Sequence, residues 1–130
     1  MMLETGVKNR KEELVTIDHS ASAVGSGLLD VYATPSMIAL MEGCCHESVA
    51  PFLEEGTGTV GISLNIKHVA ATPIGMKVYC TSELTEVHGR VLTFHVEAYD
   101  EKGLIGEGVH ERCIVQNEKF QKRADAKRKQ

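Results

Sequence analysis

The stretch Thr34 to Leu53, TPSMIALMEGCCHESVAPFL, decides the architecture: it is the clearest helix in the chain and is apolar nearly all round. Thr34 is a suitable N-cap, and Pro35 stands where a first-turn proline belongs. Met37, Leu40, Met41, Cys44, Cys45, Ser48 and Phe52 recur at three- and four-residue spacing, and Ile38, Ala39, Val49 and Ala50 widen that stripe. A helix that is apolar around most of its circumference is a buried one. The spacing predicts a helix over Pro35–Leu53, bent in its last turn by Pro51 and ended by Glu54-Glu55-Gly56.

Working outward, the period changes. Upstream, Glu13 to Asp18 (ELVTID) reads as a short strand, followed by a loop with Gly25 and Gly27. Downstream, Val60, Ile62, Leu64 and Ile66 alternate with Gly61, Ser63, Asn65 and Lys67, the pattern of a half-buried strand. A second strand starts at Met76, a third runs through Leu92, Phe94, Val96 and Ala98, and a fourth covers Leu104 to Val115. His88-Gly89 and Asp100 to Gly103 supply the turns between them. The order is therefore strand, one long buried helix, then about four antiparallel strands. A single flat sheet cannot cover such a helix. A curved antiparallel sheet of about five strands wrapped around it can, with a second copy of the chain covering the remainder. That is an α+β hotdog fold. A ferredoxin-like sheet would need a second helix, and the strand-rich half offers none.

Composition bounds the function. The chain has 130 residues, 42% hydrophobic and 25% charged, the size and balance of one globular domain over residues 1–130. A net charge of −4 gives no footprint for nucleic acid or a membrane surface. Basic residues crowd the tail from about Lys119 to Gln130, which reads as a solvated or frayed terminus or else as a patch for a phosphate-bearing ligand or another chain. The four cysteines form no C-x-x-C pair, so they suit small buried apolar positions in a reducing compartment better than a disulfide or zinc framework. No metal or cofactor is expected. Met1 to Arg10 has no apolar signal core and no apolar stretch reaches membrane length, so a cytoplasmic protein is expected.

Three residues sit oddly for a pure core. Glu42 has Pro35, Ile38, Ala39, Cys45, His46 and Val49 as its angular neighbours on the helix. A carboxylate there is costly unless it is paired. It is either a rim residue paired with His46 one turn on, or a carboxylate facing a ligand. His68 continues the row Val60, Ile62, Leu64, Ile66, which points it inward just before the Ala70–Pro73 loop; it is either a satisfied core group or a proton-transfer group. Thr34 is explained by capping alone, yet a helix N-terminus also offers free N–H groups to a carbonyl gaining negative charge. Thr34 and Glu42 lie roughly 12 Å apart along one helix, so they act together only if Thr34 folds back or a second copy completes the set. Of the other histidines, His110 is the least easily dismissed.

The segments Val31-Tyr32-Ala33-Thr34-Pro35, Met37 to Glu42, Gly58 to Ile66, Lys67-His68-Val69-Ala70-Ala71-Thr72-Pro73-Ile74-Gly75 and Gly108-Val109-His110-Glu111-Arg112 together resemble the fluoroacetyl-CoA thioesterase-like family of hotdog proteins. The likeness runs from about Val31 to Phe120 with the segments in order. It implies a Thr–Glu–His catalytic set, falling on Thr34, Glu42 and His68, and substrate contacts at Gly61 and Arg112. Gly61 suits a close backbone approach, whereas Arg112 either pairs with a CoA phosphate or solvates the sheet. The chain departs from the family at Gly25 to Asp30, which lacks the bulky aromatic gating residues of the fluoroacetate-specific member. The resemblance therefore implies thioester hydrolysis without carrying over fluoroacetyl selectivity. The expected reaction is acyl-CoA plus water giving acid plus CoA, with His68 as base or acid and raised in pKa by Glu42, in a homodimer or a dimer of dimers. Two other readings share the fold: a hydratase or dehydratase acting on an acyl-CoA, and a sensor that binds acyl-CoA without turnover.

Overall fold

The computed structural model describes residues 3–129. Its elements are β1 (Lys8–Leu14), α1 (Ala21–Val24), α2 (Thr34–Val49), β2 (Thr57–His68), β3 (Lys77–His88), β4 (Val91–Asp100), β5 (Gly103–Gln116) and α3 (Asn117–Asp125). All five strands join one antiparallel sheet in the order β1-β3-β4-β5-β2. β3, β4 and β5 are consecutive hairpins, while β2 crosses over to pair with β5 and is left at the edge. The sheet curls around α2, which touches β1, β2, β3 and β4. This is the hotdog arrangement, an α+β fold.

The core lies between that helix and the concave face. Met37, Leu40, Met41, Cys44, Cys45 and Val49 of α2 meet Val78, Cys80 and Leu84 of β3 and Leu92, Phe94, Val96 and Ala98 of β4. Side chains of this size each stabilise by about 1.5–3 kcal/mol when fully buried. Cys44, Cys45 and Cys80 are buried free thiols, and burial with the neighbouring Cys44 pushes Cys45 up to about 12.

Several local expectations change. The first strand is Lys8–Leu14, which starts upstream of the ELVTID run and takes in only its Glu13 and Leu14. Its residues alternate between half-buried and exposed and carry mostly charged side chains, so no apolar alternation marks it. Val15 is instead a buried anchor donating to the Met76 carbonyl, and Ile17–His19 form a 3₁₀ turn. The long helix ends at Val49. Pro51, which lacks an N–H, sits in a 3₁₀ turn over Ala50–Phe52. Around α2, Pro35, Ala39, His46 and Glu47 are exposed, so the helix keeps an outer face of small and polar residues. The tail is also more ordered than a frayed end: Asn117–Asp125 form α3, followed by a 3₁₀ turn over Ala126–Lys129. No helix among the described residues is long and apolar enough to cross a membrane.

The change that matters most for chemistry lies in β2. Its pairing with β5 slips between Gly61 and Ser63, leaving Ile62 as the extra residue of a β-bulge. Directly opposed residues share a face, and the concave face of β5 carries Gly106, Gly108, His110 and Arg112, opposite Ala98, Val96, Phe94 and Leu92 of β4. On β2 the matching residues are Gly61, Leu64, Ile66 and His68. The expected row of Val60, Ile62, Leu64, Ile66 and His68 therefore holds only from Leu64 onward. Upstream of the bulge the parity flips, and Gly61 takes the place that Val60 and Ile62 were expected to fill.

Candidate active site

The start of α2 is set by the chain just before it. Tyr32 is buried; its N–H donates to the Thr72 carbonyl at 2.8 Å and its hydroxyl to Glu13 Oε2 at 2.5 Å. Burial and the Glu13 carboxylate hold this phenol far above its ordinary pKa. The Ala33 N–H donates to the His19 carbonyl at 2.9 Å. With Val31 to Ala33 tied down in this way, Ala33 occupies the N-cap position and Thr34 becomes the first helical residue. The hydroxyl expected to cap the helix does not do so.

That hydroxyl lies 2.8 Å from His68 Nδ1. His68 is the last residue of β2, and the loop after it is pinned: Val69 and Ala70 donate to the Ile105 carbonyl at 2.7 and 3.3 Å, and Pro73 bridges to Val31. The far ring nitrogen, Nε2, is shielded from solvent and has no hydrogen-bond partner among the described residues. Burial lowers the His68 pKa, with the Ala70 backbone opposing it. The expectation that Glu42 raises this pKa is not met, because no contact joins the two within the chain. Beside the pair lies an open cleft of about 340 Å³, lined by Ala21, Ser26, Val31, Thr34, His68 and Ala71. Thr34 and Ser36 sit in the first turn of α2, where N–H groups lack helical acceptors and the helix dipole favours negative charge.

Two turns further along α2, Glu42 belongs to a second group. Its Oε2 is 3.6 Å from Arg112 Nη1 and 4.0 Å from His110 Nε2. Its carboxylate also lies over Gly61, where a Cβ would come within 2.5 Å of Oε2. The alternative partner His46 is exposed on the outer face. Arg112 is buried, so it does not serve merely to solvate the sheet. Its Nε donates to Thr59 Oγ1 at 2.8 Å and its Nη2 to the Thr59 carbonyl at 2.9 Å. The larger hollow on the molecule, about 620 Å³ beside Arg10, Glu83, His95 and Glu97, lies against strand residues outside both groups.

The chain thus brings Thr34 to His68, and Glu42 to Gly61 and Arg112, while among the described residues no hydrogen bond or ion pair joins the two groups. Thr34 has not folded back, so eight helical residues keep it roughly 12 Å from Glu42. Two members of the second group were not singled out as site residues. Thr59 is an ordinary strand threonine with no signal of its own. His110 shares a strand face with Arg112 by simple alternation, and that was legible.

Residues 15–118 match the family described as fluoroacetyl-CoA-specific thioesterase. A fluoroacetyl-CoA thioesterase of Streptantibioticus cattleyicolor is 45% identical over 91 residues, 70% of this chain and 66% of that protein, so the match takes in just under two thirds of the relative. A solved structure of the fluoroacetyl-CoA thioesterase FlK superposes with a TM-score of 0.93 at 33% identity, covering 98% of each chain. A hot-dog-like protein from Thermanaerovibrio acidaminovorans, at 22% identity, shares the fold with a TM-score of 0.85 over 95% of this chain and 91% of that one.

Proposed function

The chain belongs to the fluoroacetyl-CoA-specific thioesterase family, and on that premise we propose that it hydrolyses a small acyl-CoA thioester to the free acid and CoA. The observation that carries this reading is the 2.8 Å contact between Thr34 Oγ1 and His68 Nδ1 at a helix N-terminus beside an open cleft. A base, a hydroxyl and unpaired N–H groups then face one space. His68, through the Thr34 hydroxyl hydrogen-bonded to its Nδ1, takes a proton from the attacking water as the water oxygen bonds the thioester carbonyl carbon. The resulting oxyanion is held by N–H groups of the first turn of α2. On collapse the carbon–sulfur bond breaks, and His68 returns the proton to the departing CoA thiolate. Thr34 and Glu42 orient the water, and Gly61 and Arg112 contact the substrate.

In this reading a second copy of the chain completes the site, bringing Glu42 of one copy toward the Thr34–His68 pair of the other. Supporting it, β2 is an edge strand whose Ile62 and Leu64 are 52% and 45% exposed. The whole chain acts as one domain, and its four free cysteines suit a cytoplasmic setting. The test is free-thiol release from a panel of acyl-CoA esters of increasing chain length. The wild-type protein releases CoA from at least one short member, and His68→Ala does so at a small fraction of that rate. Release from no member overturns the reading.

A further inference from the structure

His110 is wholly buried, and every group around it has a defined chemistry. Its Nδ1 lies 2.9 Å from the Ser63 carbonyl, which can only accept a hydrogen bond, so Nδ1 carries the proton. Its Nε2 lies 3.2 Å from Arg112 Nη1, which can only donate, so Nε2 presents its lone pair. Two partners of opposite character thus lock one neutral tautomer. Around the ring stand Phe94 from β4, stacked at 6.4 Å between centroids; Gly61 and Leu64 from β2; Glu111 and Arg112 from β5; and Glu42 from α2 at 4.0 Å. The Ser63 carbonyl is available because the β2 bulge falls immediately before it.

The consequence concerns Arg112. Its guanidinium is held at three points, by the Thr59 hydroxyl, the Thr59 carbonyl and His110 Nε2. A guanidinium is a planar fork that pairs with a carboxylate through two parallel hydrogen bonds when it is free to turn. Here it stays 3.6 Å from Glu42 Oε2, close enough to attract the carboxylate and too far to hydrogen-bond it. We infer that His110 is a positioning residue that holds Arg112 back from Glu42, so that Glu42 keeps lone pairs free for water over Gly61. The inference rests on the proposed roles of Glu42 and Arg112. It adds a third group, acting through the second, and a structural reason for the bulge.

Nitrogen NMR of the imidazole tests the tautomer on the wild-type protein, with no substrate present. Nδ1 is expected to carry the proton at neutral pH, with any titration of the ring falling below the ordinary histidine value of 6.5. A ring that titrates at or above 6.5, or an Nε2-protonated tautomer, overturns the inference. Kinetics test the action through Arg112. His110→Leu, which removes the acceptor, lowers kcat by about tenfold or more with little change in KM, whereas His110→Gln, whose Oε1 can accept from Nη1, recovers most of the loss. In an Arg112→Ala background the further change His110→Leu costs almost nothing, because the group it acts through is gone. Additive losses, or a Gln variant as slow as the Leu variant, overturn the inference. If no acyl-CoA is hydrolysed at all, the proposed activity fails, while the NMR arm still decides the tautomer and the exchange rate of the Arg112 Nε proton in His110→Leu still reports whether the clamp has loosened.

Discussion

Ala33 occupies the cap of α2, and that one-residue offset leaves the Thr34 hydroxyl to hydrogen-bond His68. The pair gives the sharpest test of the proposed mechanism. His68→Ala should slow hydrolysis by about 10² to 10⁴-fold, the usual share of general acid–base catalysis. Its melting temperature should shift little, because the half-buried ring packs at a cleft wall and its Nε2 makes no hydrogen bond that would be lost. An active but unstable variant would return His68 to the core. Glu42→Gln should likewise keep the fold and lose turnover by at least about a hundredfold, whereas a near-normal rate would leave the carboxylate only as a neighbour of Arg112. The pH dependence follows from burial. His68 must be neutral to accept a proton, and its pKa lies below the ordinary histidine value of 6.5, so the acid limb of kcat/KM falls below 6.5 with full activity at neutrality. The folded pKa values of His68 and His110 are both depressed, each by burial first. The unfolded chain therefore binds these protons more readily, so their contribution to stability is complete above the unfolded value and is lost as pH falls through the folded ones. The melting temperature should fall on acidification below 6.5, and a rise there would contradict the buried neutral rings.

At the level of the strand, the bulge in β2 makes two glycines behave differently although both face close neighbours. A Cβ on Gly61 would meet Glu42 Oε2 at 2.5 Å, the far end of a flexible side chain that can swing away, and would press on His110 Cε1 only at 3.2 Å. Gly61→Ala should therefore fold with the smaller loss of stability and lose activity, because the displaced group is the carboxylate proposed to act there. A Cβ on Gly108 would meet the Asn65 carbonyl oxygen at 2.0 Å, which is backbone and cannot move without breaking the β2–β5 ladder. Gly108→Ala should cost about 1–3 kcal/mol or more in chemical denaturation. Equal stability losses in the two variants would show that Glu42 does not lie over Gly61 as described. The same element shows where the sequence was legible. Strict alternation identified β2 and pointed His68 inward, and the helical stripe identified α2 and set Glu42 apart. The bulge left no mark in the pattern, because Ile62 is as apolar as the residues it displaced. β1 left none because its charged side chains carry no apolar rhythm. Thr34 read as a cap because Ala33 takes that position through contacts, its own with His19 and that of Tyr32 with Thr72, that no local pattern encodes.

For the whole molecule, the proposed mechanism requires two groups at opposite ends of half a helix to act on one thioester. Within one chain the large apolar residues of α2 are mostly covered, so much of the uncovered apolar surface lies elsewhere than the helical pattern suggested. Part of it lies at the open edge of the sheet, where Ile62 and Leu64 of β2 are 52% and 45% exposed and β2 has no strand on its outer side. An unpaired edge strand with apolar residues is a template for pairing with another chain unless something covers it. A second copy of the same edge, related by a two-fold axis, is self-complementary and closes the assembly at two. It would also turn each α2 toward the other copy's β2, which ends in His68. The protein should therefore sediment as a dimer at micromolar concentration, with an interface of obligate size. Ile62→Glu places a charge on that edge without touching Thr34, Glu42, His68 or the core, so it should give a folded monomer. Because each site would then lack its partner's half, the monomer should lose turnover by at least about a hundredfold while keeping the Thr34–His68 contact. Mixing inactive Glu42→Gln with inactive His68→Ala should restore about a quarter of the wild-type rate, because one of the two sites in a mixed dimer is intact and about half the dimers are mixed. A wild-type protein that sediments only as an active monomer, or a mixture that recovers nothing while exchanging subunits freely, would rule out the shared site.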